Sequence, residues 1–294
     1  MNGDVPYVID FIINSPASRQ PSKEGSHMKI LALIALVFAT LINAQDIQET
    51  LIIEPDQIKS VTGHIQGSCV SEDAIYLSYV LGIIKLDWNG KFIKEVSLPN
   101  HNGDVAYHKG KIYSAVSIKG GGEIHVFDAD LNPIKKISYP HGFDGIGVLN
   151  DAVFVGIGPN PHTPHRGNKI GKFDLDLNEI KVVNFDHGFE THYGAQNITT
   201  DGKYLYIFFY NASKGGHPCA VIDEDINLVK TIRFSAGTGI DFLPISPTNP
   251  NGTKLVRSVH VGDWKKAKKG EHKVAIEPFE KQGDNFVRLP AKNK

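Results

Sequence analysis

The stretch IHVFDADLNPIKKISYP, residues 124–140, followed at once by His141 in HGFDGIG, decides the fold because close copies of it recur along the chain. The copies begin at Ile83, Ile124, Ile170 and Cys219, which gives periods of 41, 46 and 49 residues. Each copy places apolar residues around an aspartate, then a short Asp/Asn/Gly turn, then a second alternating run. This pattern predicts a β-hairpin in every copy.

Two further strand-like runs precede each hairpin, for example GDVAYH, the turn KGK and IYSAVSI in residues 103–118. Four short antiparallel strands with a period of about 40–50 residues are typical of a β-propeller blade. The inner strands of the blades are predicted to open near His64, His101, His141, His192 and Gly237. The sequence therefore predicts five blades; a six-bladed ring is the alternative, which a chain of this length disfavours.

The ring is predicted to close through its N-terminal segment. LIIEPDQIKSVTGH, residues 51–64, has the residue pattern of the third and fourth strands of a blade and leads into the first blade. We expect residues before that blade to pair with the last blade near VAIEPFEKQGDNFVRL, residues 274–289. Such pairing removes the open edges that a sheet protein must otherwise protect. The predicted fold class is all-β, with five four-stranded blades.

The N-terminal part of the chain has the features of an export signal. Residues 29–44, KILALIALVFATLINA, form an apolar run that begins with Lys29 and is short for a membrane span. We predict a signal peptide over 28–44, cleavage after Ala44 and a secreted or periplasmic protein; an uncleaved anchor is the alternative. Residues 1–27 are predicted to be a disordered upstream extension. Residues 45–294 are predicted to be one propeller domain without a membrane span after cleavage.

Composition narrows the possible partners. The 294 residues are 41% hydrophobic and 21% charged, with a formal net charge of −1, as in an ordinary globular protein. Nucleic acid is not predicted as a partner because no basic excess could neutralise its phosphates. The Gly-rich pieces at 120–122 and 215–216 lack the Lys-Ser/Thr ending of a phosphate-binding loop, so no nucleotide cofactor is predicted. Cys69 and Cys219 are predicted to be buried thiols.

The predicted strand order sorts most histidines onto one face of the ring. Connectors that enter inner strands carry His64, His101, His141, His187 and His192, and the second-to-third-strand loops carry His162, His165 and His217. A recurring histidine just before each inner strand predicts a ring around the mouth of the central channel. The residues predicted to join this ring and bind substrate are Asp104, Asp144, Gln196 and Asp241.

Two chemistries suit such a ring. Converging neutral imidazoles of His64, His101, His141 and His192 could bind a divalent metal ion (zinc, manganese or calcium), which would act as a Lewis acid or activate water. Alternatively, an imidazole could act as a general base, with a second histidine or Tyr193 as the acid. A third interpretation is structural: each histidine hydrogen-bonds a turn of the neighbouring blade.

The loop NPHTPHRGN, residues 160–168 in the third blade, carries His162, His165 and Arg166. The planar guanidinium group of Arg166 suits a substrate carboxylate or phosphate. The alternative is a Pro-rich surface loop that carries polar residues. We predict that Arg166 anchors the substrate and that His162 and His165 contribute to binding it.

Over residues 48–290 the repeat resembles the β-propeller superfamily, in particular secreted sugar-lactone hydrolases, propeller polysaccharide lyases and five-bladed glycosidases. The chain lacks the Glu/Asn/Asp metal set of the first group and the carboxylate trio of the third. Axial histidines with Arg166 are more similar to lyases that act on uronate-containing polysaccharides. The resemblance implies an exported lyase or hydrolase for a carbohydrate or small polar substrate, with His192, Tyr193 and Arg166 as catalytic residues. The alternative is a non-catalytic propeller that binds glycans or proteins.

Overall fold

The computed structural model describes residues 47, 49–54, 63–157, 165–191, 194–209, 218–236, 238–262 and 273–290; of residues 165–168 and 190 it describes the backbone alone. The described residues all belong to one compact unit, residues 44–294. The upstream extension and the signal peptide lie outside the described residues and stay predictions. Within the described ranges, no helix has the length and apolar character needed to cross a membrane.

Four antiparallel sheets of four strands and a fifth sheet with one additional short strand form the five-bladed β-propeller that the repeat predicts. The first blade contains β2 (Ile65–Val70), β3 (Ile75–Tyr79), β4 (Gly82–Leu86) and β5 (Phe92–Ser97). The second contains β6 (His101–His108), β7 (Lys111–Ile118), β8 (Gly121–Asp128) and β9 (Pro133–Tyr139). The third contains β10 (Phe143–Leu149), β11 (Ala152–Ile157), β12 (His165–Asp174) and β13 (Glu179–Thr191). The fourth contains β14 (Ala195–Thr200), β15 (Leu205–Phe209), β16 (Pro218–Ile222) and β17 (Leu228–Arg233).

The fifth blade closes the ring with strands from both ends of the described propeller. It contains β18 (Gly239–Phe242), β19 (Lys254–Val261) and β20 (Lys273–Gln282). Two short strands share its outer position: β1 (Leu51–Ile53) pairs with residues 274–276 of β20, and β21 (Asn285–Arg288) pairs with residues 279–282. The predicted closure is confirmed. The segment 51–64 contributes one strand in its described residues, where the sequence rhythm suggested two.

The hydrophobic core lies between neighbouring blades. Five clusters of buried residues each join two blades; in one of them Ile53, Leu77 and Val274 connect the first blade with the last. Second strands such as β3 and β11 are buried at every position, because a neighbouring blade covers each of their faces. Burying one such large aliphatic side chain contributes about 1.5–3 kcal/mol, so contacts between blades stabilise the ring. Cys69 and Cys219 are buried in this core, as predicted.

The recurring aspartate shapes the hairpin turn of each copy by accepting a hydrogen bond from the main-chain N–H four residues further on. In the second blade, one Asp128 carboxylate oxygen accepts hydrogen bonds from the main-chain N–H groups of Asp130 (2.9 Å) and Asn132 (2.8 Å). The residue between these donors, Leu131, has a φ of 58°. This left-handed conformation costs a non-glycine residue about 1–2 kcal/mol, which burial of the Leu131 side chain offsets.

Two placements of the third blade differ from the prediction. His187 was predicted in a connector, but it lies within β13 and is 1% exposed, with its ring centroid 4.0 Å from that of Phe189 and 4.3 Å from that of Phe209. His165 and Arg166 were predicted in a loop, but their backbone begins β12, where His165 pairs with Thr191. The reason is that β12 and β13, with 10 and 13 residues, extend the hairpin further than in the other blades.

Candidate active site at the mouth of the channel

Four of the inner strands share an irregularity near their first residues. The pairing of the inner strand with the second strand shifts by one residue between Ile65 and Gly67, Asn102 and Val105, Phe143 and Ile146, and Ala195 and Asn197. The fifth inner strand, β18, pairs with β19 in an unbroken register. Such β-bulges change the direction of side chains and are frequent beside active sites. They therefore determine which side chains enter this end of the channel.

The register of the bulges arranges the channel in two layers. The outer one, which we call the mouth layer, consists of Gln66, Gly103, Asp144 and Gln196. The next residue of each strand forms the lower layer, which consists of Gly67, Asp104, Gly145 and Asn197. The three side chains of the mouth layer are half-buried, whereas Asp104 and Asn197 are buried. The mouth layer is therefore polar and partly accessible to solvent, whereas the lower layer beneath it is buried.

Asp104 and Asn197 tie four blades together in the lower layer. The carboxylate of Asp104 accepts hydrogen bonds from the main-chain N–H of Ile198 (2.9 Å), the main-chain N–H of Ile146 (3.3 Å) and Nδ2 of Asn197 (3.2 Å). The Asn197 amide also donates to the main-chain oxygen of Gln66 at 3.0 Å. Burial raises the pKa of Asp104 well above its usual range, although these hydrogen bonds act in the opposite direction.

Asp144 is the acidic side chain of the mouth layer. The hydroxyl group of Ser117 donates to the main-chain oxygen of Phe143 (2.7 Å) and lies 3.5 Å from a carboxyl oxygen of Asp144. The Gln196 side chain hydrogen-bonds the same carboxyl group. Burial raises the pKa of Asp144 to about 6, while the bonds to Ser117 and Gln196 work to lower it. A carboxyl group of this kind can hold a proton near neutral pH and donate it.

Two histidines form the wall of the mouth between the first and last blades. The Gln66 amide nitrogen donates to Nε2 of His64 at 2.7 Å, and the main-chain N–H of Ile65 donates to Nε2 of His260 at 3.1 Å. The ring centroids of His64 and His260 are 6.1 Å apart. In this geometry Nε2 of each of the two imidazoles accepts a hydrogen bond.

The other residues of the predicted histidine ring have different positions. His101 begins β6 opposite Ser117 and is exposed; burial of part of its ring lowers its pKa. His141 precedes β10 and is half-buried. His162, His192 and Tyr193 lie outside the described residues, as do the side chains of His165 and Arg166.

The predicted metal site cannot be assembled from the described part of the chain. No group of three or more His, Cys, Asp or Glu side chains could hold a metal ion there. Nε2 of His64 accepts a hydrogen bond from the Gln66 amide. Because His192 is not described, the ring of four ligands stays a prediction.

Asp241 lies further along the channel than Asp144. Its carboxylate accepts a hydrogen bond of 2.9 Å from the main-chain N–H of Val70, three residues beyond Gly67 of the lower layer. At about 3.3 Å per strand residue, this places it roughly 10 Å past that layer. The Thr199 hydroxyl also donates to it. Burial raises the pKa of Asp241 to about 7.

Sequence reasoning identified four of the axial residues and missed four others. Asp104, Asp144, Gln196 and Asp241 were named, and the structure brings Asp144 and Gln196 into contact at the mouth. The missed residues are Gln66, Ser117, Asn197 and His260. Gln66 and Asn197 lie in the same inner-strand openings and could have been found by aligning them. Ser117 and His260 come from second strands, β7 and β19, whose alternating sequence gives no such signal.

Comparisons with known proteins identify the fold. No protein-family model matches the chain, and no curated protein sequence matches it. Glutaminyl cyclase from Myxococcus xanthus is similar in structure, with a TM-score of 0.55 and 11% identity, over 82% of this chain and 95% of the cyclase. A putative exo-β-1,3-galactanase from Bifidobacterium bifidum has a TM-score of 0.55 and 12% identity, over 84% and 98% of the two chains. A GH43 β-xylosidase/α-arabinofuranosidase from a compost microbial metagenome has a TM-score of 0.52 and 11% identity, over 82% and 98%.

Proposed function

We propose that this protein is an exported enzyme that acts on a carbohydrate or a related small polar substrate at the mouth layer, by a lyase- or hydrolase-type reaction in which Asp144 donates the proton. One observation carries the proposal: the half-buried carboxyl group of Asp144 lies in the mouth layer beside Ser117 and Gln196, where burial raises its pKa to about 6. Perturbed acids in a cleft are candidates for acid–base catalysis.

The groups around Asp144 suit a substrate rich in hydroxyl groups. Gln66 and Gln196 each offer an amide donor and an amide acceptor, and Ser117 offers a hydroxyl group. A few convergent polar groups of this kind fix the orientation of a bound small molecule. Carbohydrate is also what the names of two structural neighbours, the galactanase and the xylosidase, indicate for those proteins.

In either type of reaction, a C–O bond breaks and its oxygen needs a proton as negative charge develops on it. A carboxylic acid that is still partly protonated near neutral pH supplies this proton, and such transfer accelerates a reaction by roughly 10²- to 10⁴-fold. The proposed base that completes the reaction is His192 or Tyr193. Arg166 is the proposed anchor of the substrate.

The test is the variant Asp144→Asn in the full chain, assayed with aryl glycosides, sugar lactones and uronic-acid polymers. We expect the turnover of the parent protein to fall by roughly 10²- to 10⁴-fold because an amide cannot donate a proton to the leaving oxygen. Activity of the parent should also fall as the pH rises through about 6, where Asp144 loses its proton.

The matched control is Asp151→Asn. Asp151 is exposed in the turn after β10 and has a φ of 57°, which Asn tolerates as well as Asp. This variant should keep the activity of the parent. Full activity of Asp144→Asn would overturn the proposal. Glycan binding by a parent protein that turns over none of the substrates would instead identify a non-catalytic binding propeller.

A further inference from the structure

We propose that Asp104 is a positioning residue, which holds Asp144 and Gln196 in the mouth layer by binding the main chain of their two strands. The inference extends the function proposed above to a residue that does not reach the substrate. Asp104 is 1% exposed and lies in the closed lower layer, so it acts through other residues.

One carboxylate oxygen of Asp104 binds two bulges at once. Oδ2 accepts the N–H of Ile146, two residues after Asp144, and the N–H of Ile198, two residues after Gln196. Both donors occupy the same register in the third and fourth blades. Because the two bulges share an acceptor, the position of Asp104 determines how Asp144 and Gln196 lie relative to each other.

The backbone around Asp104 leaves little room for another arrangement. A Cβ atom added to Gly103 would lie 2.4 Å from the main-chain oxygen of Asp144, so the second and third inner strands touch at this point. A Cβ atom added to Gly67 would lie 2.2 Å from Oδ1 of Asp104. The close approach at Gly103 and the hydrogen-bonded carboxylate of Asp104 therefore fix the position of the Asp144 strand along the channel axis.

The substitution Asp104→Asn tests this inference in the full chain. Asparagine keeps the size of the side chain but replaces one carboxylate oxygen with an N–H₂ group, which cannot accept a hydrogen bond. This group would face either the two main-chain N–H donors or the Asn197 amide, which is also a donor there. Either orientation loses a bond and loosens a bulge. Displacement of about 1 Å at a site can cost up to 10²-fold in rate, so we expect kcat to fall roughly 10- to 100-fold, with a smaller change in KM.

A second readout does not depend on the substrate. The pKa of Asp144, followed by carbon-13 NMR of its carboxyl group, should move down from about 6 by about half a unit or more, because a loosened bulge admits water. The matched control is Asp201→Asn, which changes another carboxyl group that accepts hydrogen bonds from main-chain N–H groups, those of Lys203 and Tyr204, and joins two blades through Lys281. It should lower the melting temperature without changing kcat or the pKa of Asp144.

The outcomes separate this inference from the proposed function. A folded Asp104→Asn variant with an unchanged Asp144 pKa overturns the positioning role, whatever the activity. Full activity of Asp144→Asn together with a shifted Asp144 pKa in Asp104→Asn overturns the function and supports the positioning role. If Asp104→Asn does not fold, Asn197→Ala replaces it, since this variant removes one bond to Asp104. It should shift the Asp144 pKa in the same direction by less, and no shift would overturn the inference.

Discussion

At the scale of single residues, the channel is filled by an alternation of large and small side chains. Asp104 and Asn197 occupy the lower layer in the second and fourth blades, and Gly67 and Gly145 make room for them in the first and third. We expect Gly67→Ala to destabilise the fold by about 1–3 kcal/mol, because the new Cβ would lie 2.8 Å from the Asp104 Cα as well as against its carboxylate. Chemical denaturation measures this change.

Gly142→Ala is the control for that prediction. Gly142 also lies at the start of an inner-strand region, but the atoms nearest to an added Cβ are 3.8 Å away. The free energy of unfolding of this variant should lie within about 0.5 kcal/mol of that of the parent. Equal stability of the two variants would show that the lower layer is loosely packed.

The axial residues also show where sequence reasoning stops at this scale. The recurring openings at His64, His101, His141 and His192 predicted which end of the channel carries polar groups. Whether Asp104 or Asp144 faces the mouth depends on a one-residue bulge, and a shift of one residue turns a side chain to the other face of a strand. No residue type in these openings reports the bulge, so the layers became visible only in the structure.

At the scale of elements, the closing strand β1 joins the two ends of the ring. Ile53 is 0% exposed and pairs with Val274, whereas Ile52, which points to the other face of the same strand, is 42% exposed. We expect Ile53→Ala to lower the free energy of unfolding by about 2–4 kcal/mol, because it leaves a cavity between the first and last blades. Ile52→Ala should cost no more than about 0.5 kcal/mol. Similar losses in both variants would mean that β1 contributes strand pairing rather than packing.

The elements were the most predictable part of the molecule. The period of the hairpin copies and their turn aspartates correctly gave the five blades, the hairpin turns and the closing pairing. These features depend on local sequence, since the Asp128 carboxylate shapes its own turn. The positions of His187 and Arg166 were wrong because the length of β12 and β13 depends on contacts with neighbouring blades, which local alternation does not encode.

At the scale of the whole molecule, buried carboxyl groups along the axis make stability depend on pH. Burial raises the folded-state pKa of Asp144 to about 6 and that of Asp241 to about 7, and also raises that of Asp104, above the value of about 3.9 for an unfolded chain. Between these values the folded protein binds more protons than the unfolded one. Stability from these groups is therefore fully present at about pH 4 and is lost as the pH rises to about 7.

We expect the melting temperature to be higher at pH 5 than at pH 7.5. One pKa unit corresponds to about 1.4 kcal/mol, so the rise of the Asp241 pKa from about 3.9 to about 7 corresponds to a stability difference of about 4 kcal/mol between the two ends of that range. Hairpin aspartates such as Asp128 and Asp174 have lowered pKa values, so they change the pH dependence of stability only below about pH 4, outside this range. In Asp241→Asn the dependence should become weaker, because a neutral amide replaces the acid that loses its proton near pH 7. A melting temperature that rises from pH 5 to pH 7.5 in the parent would show that the axial carboxyl groups are solvated and ionised across this range.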